Sequence, residues 1–144
     1  MRRRTSTVVL PIEALSEDVS PEEALRAYGL GVLRLVGSRE MGQLHGMMTA
    51  ASRRFPQLAK AFWNNGPGRG RAMLECYLAV QGQAGRLRID DASEAAELFT
   101  GAIFGTVLMR ASFGQPPILP DDAARQARVE RAVRVFMKIH GPGS

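Results

Sequence analysis

Apolar residues recur along most of the chain at the three- and four-residue spacing of α-helices. The first periodic segment begins at Ser20-Pro21, because serine is a favourable N-cap and proline suits the first helical position, and it ends near Gly37. Pro56 and the turn residues 64–68 separate later segments. The pattern predicts helices over residues 21–36, 38–54, 56–63, 69–84, 93–113 and 121–140. We therefore expect an all-α bundle of about six helices.

The predicted helix Ser93–Phe113 is apolar on two faces at once, and it carries no charge between Leu98 and Met109. A surface helix of a globular protein needs only one apolar stripe, so the second face must be covered by something outside the core. A second copy of the chain is the simplest cover, and we expect a homodimer. Gly101 and Gly105 lie one turn apart and would permit a close approach, either across the dimer or within the monomer. The predicted contact face on this helix consists of Leu98, Gly101, Ala102, Gly105 and Met109.

The composition narrows the possible functions. The chain of 144 residues is long enough for one domain with its own core. Its net charge of +5 comes from basic residues interspersed with acids, without interleaved aromatic residues, so direct DNA binding by this chain is disfavoured. No apolar run approaches the ~20 residues that a membrane helix needs. The single cysteine, Cys76, is predicted to be a buried thiol in a reducing, cytoplasmic protein.

A series of short motifs follows a characteristic order between about Pro21 and Ile139. The motifs are Phe55-Pro56-Gln57-Leu58, Ala61-Phe62, Gly66-Pro67, Leu74, Tyr77-Leu78, Gly85-Arg86-Leu87-Arg88, Asp91, Ala95-Ala96-Glu97-Leu98-Phe99 and Arg128-Val129-Glu130-Arg131-Ala132-Val133. Their order and spacing resemble the C-terminal, ligand-sensing and dimerisation domain of TetR-type transcriptional repressors.

The resemblance implies a ligand-sensing and dimerisation domain over residues 21–140. Residues 1–20 would be a tail or the remnant of a linker helix, and residues 141–144 a second tail. In this family the last two helices pair with those of a partner, which adds Val129, Val133 and Phe136 to the expected interface. DNA would be bound only through an N-terminal helix-turn-helix domain, and the first twenty residues carry no such pattern. The sensory domain is therefore expected to stand alone.

The resemblance also implies a cavity for a small apolar or aromatic effector among the middle helices. Apolar side chains would form most of the wall, and a few polar groups would orient the ligand. The same residues without a ligand would simply be a filled core, and the sequence leaves both possibilities open. The residues expected to contact the effector are His45, Met48, Phe62, Trp63, Tyr77, Gln81, Phe99 and Ile103.

The sequence predicts no catalytic centre, metal site or cofactor. His45 has no ligand partner three or four residues later, and His140 belongs to another helix. The segment 66–71 lacks the preceding strand and the Lys-Ser/Thr ending of a phosphate loop, so we interpret it as an interhelical turn. Asp90-Asp91 and Asp121-Asp122 are expected to cap helices. We expect a non-enzymatic protein, with a ligand-free helical interaction module, or a small helical enzyme, as alternatives.

Overall fold

The computed structural model describes residues 14–142, so residues 1–13 of the predicted N-terminal tail and residues 143–144 lie outside the described range. Within that range the chain forms seven α-helices and no β-strand, and the predicted all-α fold is confirmed. None of these helices is both long and apolar enough to cross a membrane. The helices are α1 (Pro21–Val36), α2 (Arg39–Ala51), α3 (Pro56–Asn65), α4 (Pro67–Gln83), α5 (Ala92–Phe104), α6 (Val107–Ser112) and α7 (Asp122–His140).

Four helices begin at polar capping residues. Each capping side chain accepts a hydrogen bond from the backbone amide three residues later, at 2.9–3.2 Å. These bonds satisfy amides that the start of a helix leaves unpaired. The capping residues are Ser20, Ser38, Asp91 and Asp121.

The predicted continuous helix Ser93–Phe113 is divided in the structure into α5 and α6. Gly105 interrupts it with φ +49° and ψ −124°, and Thr106 follows with φ −101° and ψ 15°. These angles are close to those of a type II′ turn, whose first position glycine adopts readily. Arg128 on α7 holds the break, since its Nη1 donates to the Ile103 carbonyl at 3.0 Å. Periodicity did not reveal the turn because the apolar spacing continues through it.

Replacing Gly105 by alanine is expected to destabilise the domain by about 1–3 kcal/mol. An L-residue is strained at this φ, and a Cβ atom there would lie 3.0 Å from Nη1 of Arg128. Urea unfolding followed by circular dichroism measures the difference. A variant as stable as the wild type would show that this glycine does not fix the α5–α6 break.

Four helices, α1, α4, α5 and α7, enclose the core. Phe99 of α5 and Phe136 of α7 are both buried and meet edge to face, with ring centroids 5.5 Å apart. The helices α2, α3 and α6 contribute no buried residue. The α2–α3 hairpin packs on α1 through α2 and on α4 through α3, so it covers the core from outside.

Ion pairs fix α7 against α1. Arg34 binds both carboxylate oxygens of Asp122, at 2.9 Å from Nε and 2.6 Å from Nη2, and Arg26 binds Glu130 at 2.6 Å. The hydrogen bonds from Arg34 hold the pKa of the Asp122 carboxyl well below its usual range. The contribution of this carboxylate to folding is present above the ordinary aspartate pKa of about 3.9 and is lost as the pH falls towards the lowered value.

Residues outside the helices also pack against the domain. Ahead of α1, Ala14 and Leu15 lie against the core. Beyond α4, the Arg88 amide donates to the His140 carbonyl at 2.7 Å, and Nε of Arg88 donates to the Gly141 carbonyl at 2.8 Å. Arg88 therefore satisfies carbonyls that the end of α7 leaves unpaired.

Candidate functional site

An apolar surface runs along the outer side of α5 and continues onto α6. Leu98 is 57% exposed, and the other four residues predicted for this contact face are exposed as well. None of them is used by the core of the monomer. The five residues are Leu98, Gly101, Ala102, Gly105 and Met109.

The residues predicted to extend this surface onto α7 lie in the core instead. Val129, Val133 and Phe136 are at most 4% exposed, because the apolar stripe of α7 packs inside the monomer. The exposed large apolar residues of α7 are Val135 and Ile139, which lie one turn apart. Their four-residue spacing is the signal in the sequence that could have identified them as a second apolar stripe on α7. We call Leu98, Gly101, Ala102, Gly105, Met109, Val135 and Ile139 the α5–α7 face.

The eight residues predicted for an effector site fall into three groups. Phe99 and Ile103 of α5 are buried, and they are the only two of the eight that line a cavity of about 20 Å³ between α1 and α5. Tyr77 and Gln81 are buried on one face of α4, a single turn apart. The remaining four lie on the α2–α3 hairpin, where three are half-buried and the last is exposed: His45, Met48, Phe62 and Trp63.

The 20 Å³ cavity is too small for an effector. It has room for about one water molecule, whereas pockets for organic ligands measure about 300–1,000 Å³. A surface groove of about 350 Å³ lies between α1 and α7, and none of the eight predicted residues borders it. Of the eight residues predicted to surround an effector, those on α4 and α5 therefore belong to a filled core, and those on α2 and α3 lie at the surface.

A buried polar group lies at the C-terminal end of α4. Gln81 is 1% exposed and, apart from the tyrosines, is the one buried polar side chain of the described range. Its Oε1 accepts a hydrogen bond from Nε of Arg86 at 2.6 Å, and Nη2 of Arg86 lies 3.4 Å from Oε1 of Glu17. Among residues 14–142, neither Nε2 of Gln81 nor the Tyr77 hydroxyl has a hydrogen-bond partner. Buried donors without partners are rare in native proteins, because desolvating them costs free energy.

The two tyrosines differ in how their hydroxyls are satisfied. Tyr28 donates to the Gly70 carbonyl at 3.5 Å, whereas Tyr77 finds no acceptor in the described part of the chain. Burial raises the pKa of both phenols, opposed by the charge of Arg71 at Tyr28 and of Arg86 at Tyr77. Both hydroxyls therefore stay protonated at neutral pH and are able to donate.

The predicted burial of Cys76 is wrong, because this cysteine is exposed. It lies two residues beyond Leu74, about 200° around the helix from the face that enters the core.

No group of three His, Cys, Asp or Glu side chains between residues 14 and 142 could hold a metal ion. His140 has a structural contact, with its Nδ1 2.9 Å from the Arg88 carbonyl.

The sequence matches a known family over most of its length. Residues 23–142 match the family described as the C-terminal domain of AefR-like transcriptional repressors. The chain belongs to this family. The resemblance to the C-terminal domain of TetR-type repressors is thereby confirmed.

A solved structure shares the fold of this AefR-like domain. It is a crystal structure from Mesorhizobium loti MAFF303099, described as a TetR-family transcriptional regulator. The TM-score is 0.81 at 21% sequence identity, and the alignment covers 91% of this chain and 64% of that chain. The AefR-like domain thus spans less than two thirds of the length of that regulator. Among curated proteins, no match to the chain is found.

Four residues that bear on the candidate sites escaped the sequence prediction. Val135 and Ile139 belong to the α5–α7 face, Arg86 donates to Gln81, and Glu17 accepts from Arg86. Glu17 and Arg86 are 69 residues apart, and only the fold brings them together. Helical periodicity carries no signal for a contact of that kind.

Proposed function

We propose that this chain is the effector-binding and dimerisation domain of a TetR-type transcriptional repressor that acts in the cytoplasm. The observation that carries the proposal is the α5–α7 face, an exposed apolar surface with a glycine near its middle. Two copies would pack this face against itself and form a four-helix interface from α5 and α7 of each. A separate helix-turn-helix domain would bind DNA, and the effector would shift the population between two arrangements of the paired DNA-binding domains.

We infer that the α5–α7 face is continuous across the two helices. Leu98 and Val135 each precede one ring of the Phe99–Phe136 pair, whose centroids are 5.5 Å apart. The two exposed side chains therefore lie at the same level of adjacent helices, and Ile139, which is 55% exposed, follows one turn later. A contiguous apolar surface of this kind is typical of an interaction site.

Gly101 supports the proposal because no packing contact within the described part of the chain requires a glycine there. It lies in the interior of α5 and is exposed, and a Cβ atom there would meet no atom of residues 14–142 within 4 Å. Glycine in a helix interior costs roughly 0.5–1 kcal/mol relative to alanine. We infer that a partner helix, approaching closely at this position, offsets the cost.

Gly101→Ala is therefore expected to have opposite effects on the monomer and on the dimer. The free energy of unfolding of the monomer should rise by about 0.5–1 kcal/mol, because alanine is the better helix former. The dissociation constant of the dimer should rise by roughly tenfold, because a methyl group in a close-packed contact forces the helices apart. Urea unfolding in dilute solution and sedimentation equilibrium measure the two quantities. Unchanged dimer affinity would place Gly101 outside the interface.

The α2–α3 hairpin is the element best suited to admit an effector. Neither helix contributes a buried residue, and the hairpin contacts the rest of the domain through α1 and α4. It can therefore move without disrupting the core. We propose that a small apolar or aromatic molecule enters beneath it and contacts the predicted set, namely His45, Met48, Phe62 and Trp63 with Tyr77, Gln81, Phe99 and Ile103.

The filled core favours a second candidate, a helical interaction module that dimerises without an effector. Trp63 is the single tryptophan of the chain and lies on α3, so its fluorescence reports on the hairpin. Saturable quenching by a panel of neutral aromatic compounds, lost in Phe62→Ala, would support the effector site. A dimer that shows no saturable change across the panel would support the ligand-free module.

A further inference from the structure

Gln81 presents a hydrogen-bond donor to the interior. Its Oε1 faces Arg86, whose guanidinium carries only donors, so the 2.6 Å contact fixes the orientation of the amide. The NH₂ group consequently lies on the side away from Arg86. This group belongs to a side chain that is 1% exposed, and it has no partner among residues 14–142.

The hydroxyl of Tyr77 is a second buried donor one turn earlier. Tyr77 is 7% exposed, and no acceptor for its Oη is found in the described range. Side chains four residues apart on a helix are neighbours, so Tyr77 and Gln81 can donate to one and the same group. Because burial raises the pKa of this phenol, the hydroxyl keeps its proton at neutral pH. The pair therefore selects a ligand that brings an oxygen acceptor.

Arg86 adds a positive charge to this pair of donors. Its Nη2 lies 3.4 Å from Oε1 of Glu17, and the two side chains are 47% and 64% exposed, so the ion pair is accessible to solvent. Glu17 belongs to the segment that leads into α1, in which Ala14 and Leu15 rest on the core. A carboxylate that reaches Tyr77 and Gln81 would compete with Glu17 for the guanidinium, because both carboxylates form charge-assisted hydrogen bonds to the same group.

We propose that Tyr77, Gln81 and Arg86 bind the carboxylate of a small organic acid with an apolar body, and that its binding displaces Glu17 from Arg86. This inference rests on the function proposed above and deepens it, since it names the chemical class of the effector. It also connects the ligand to the segment 14–17, because Glu17 loses its ion pair with Arg86 when the acid binds. A neutral carbonyl compound would satisfy the two donors but would leave the Glu17–Arg86 pair in place.

Three probes of one shape test the proposal on the complete chain, namely benzoate, benzamide and toluene at millimolar concentration. Benzoate is expected to raise the thermal unfolding midpoint and to give a saturable calorimetric titration, because a ligand that binds only the folded state stabilises it. Benzamide should bind more weakly, and toluene should have no effect at this site. A benzoate titration without saturable heat would overturn the proposal.

Tyr77→Phe and Gln81→Leu distinguish a ligand site from a structural role. Each variant should bind benzoate about tenfold more weakly or worse, because a hydrogen bond to a charged group is lost. Tyr77→Phe should also unfold at or above the wild-type temperature without benzoate, because it removes a buried donor that has no partner among residues 14–142. Gln83→Leu, at an exposed position of the same helix, should change neither quantity. Tyr28→Phe, which loses the bond to Gly70, should lower the unfolding temperature.

Glu17→Gln tests the exchange itself. Benzoate should bind this variant several-fold more tightly than the wild type, because the competing carboxylate has been neutralised.

Unchanged benzoate affinity in Tyr77→Phe and Gln81→Leu, with a loss of stability, would overturn the proposal in favour of a structural role. Measuring the molar mass of each sample separates the claim of a carboxylate site from the claim of a dimer. A dimer that does not respond to benzoate overturns only the carboxylate site, and a monomer that responds overturns only the dimer.

Discussion

Leu98→Glu is expected to convert the proposed dimer into a monomer of 15.7 kDa without unfolding the domain. Leu98 is 57% exposed in the monomer, so a glutamate there is solvated and perturbs the fold little. In a two-fold dimer the substitution occurs twice, and losing the burial of each leucine costs about 1.5–3 kcal/mol. The introduced carboxylates add a further desolvation cost. The dissociation constant is therefore expected to rise by at least about 100-fold.

Met47→Glu is the matched control for this substitution. Met47 lies on α2, is even more exposed than Leu98, and does not belong to the α5–α7 face. Light scattering should show this control as a dimer, and circular dichroism should show both variants as helical. If Leu98→Glu were still dimeric at the concentration of the wild type, the interface would have to lie elsewhere on the molecule.

Phe136→Ala is expected to lower the free energy of unfolding by about 3–5 kcal/mol. The ring is buried and packs edge to face on Phe99, so its removal leaves a cavity at the centre of the contact between α5 and α7. Single domains are stable by about 5–15 kcal/mol, so the loss is a large fraction of the total. Urea unfolding in the Leu98→Glu background measures it, because that background keeps dimerisation out of the comparison.

Val135→Ala is the control for the other side of α7. Val135 is the neighbour of Phe136 but is exposed, so in the monomeric background the change should stay within about 0.5 kcal/mol. In the otherwise wild-type chain it should weaken the dimer, because Val135 belongs to the α5–α7 face. Equal losses of stability for Phe136→Ala and Val135→Ala would show that α7 is oriented differently in the core.

The starts of four helices were predictable because local chemistry determines them. Ser20, Asp91 and Asp121 cap the helices that they were expected to cap, and Pro56 begins α3 as expected. The turn at Gly105 escaped prediction, because a glycine inside an apolar repeat is equally compatible with a close helix contact. A positive φ cannot be inferred from spacing, which only reports which residues share a face.

The sequence pattern could predict which residues are apolar and share a helix face. It could not predict whether the core of the same chain or a partner chain covers that face. The apolar stripe of α7 indicates a buried surface, but spacing does not tell whether the core or a partner buries it, and here Val129 and Val133 enter the core. Leu98 lies on a surface outside the core, because α5 has more apolar surface than one core can cover. The contact between Glu17 and Arg86 depends on how α4 packs beside the entry to α1, which no local pattern encodes.

The central claim is that the α5–α7 face is covered by a second copy of the chain. Sedimentation equilibrium of the unmodified chain over a wide concentration range tests it most directly. A dimer of about 31 kDa, twice the 15.7 kDa of one chain, is the predicted result. A single species of 15.7 kDa at the highest concentration would contradict the claim, because Leu98, Met109 and Ile139 would then remain exposed without a partner.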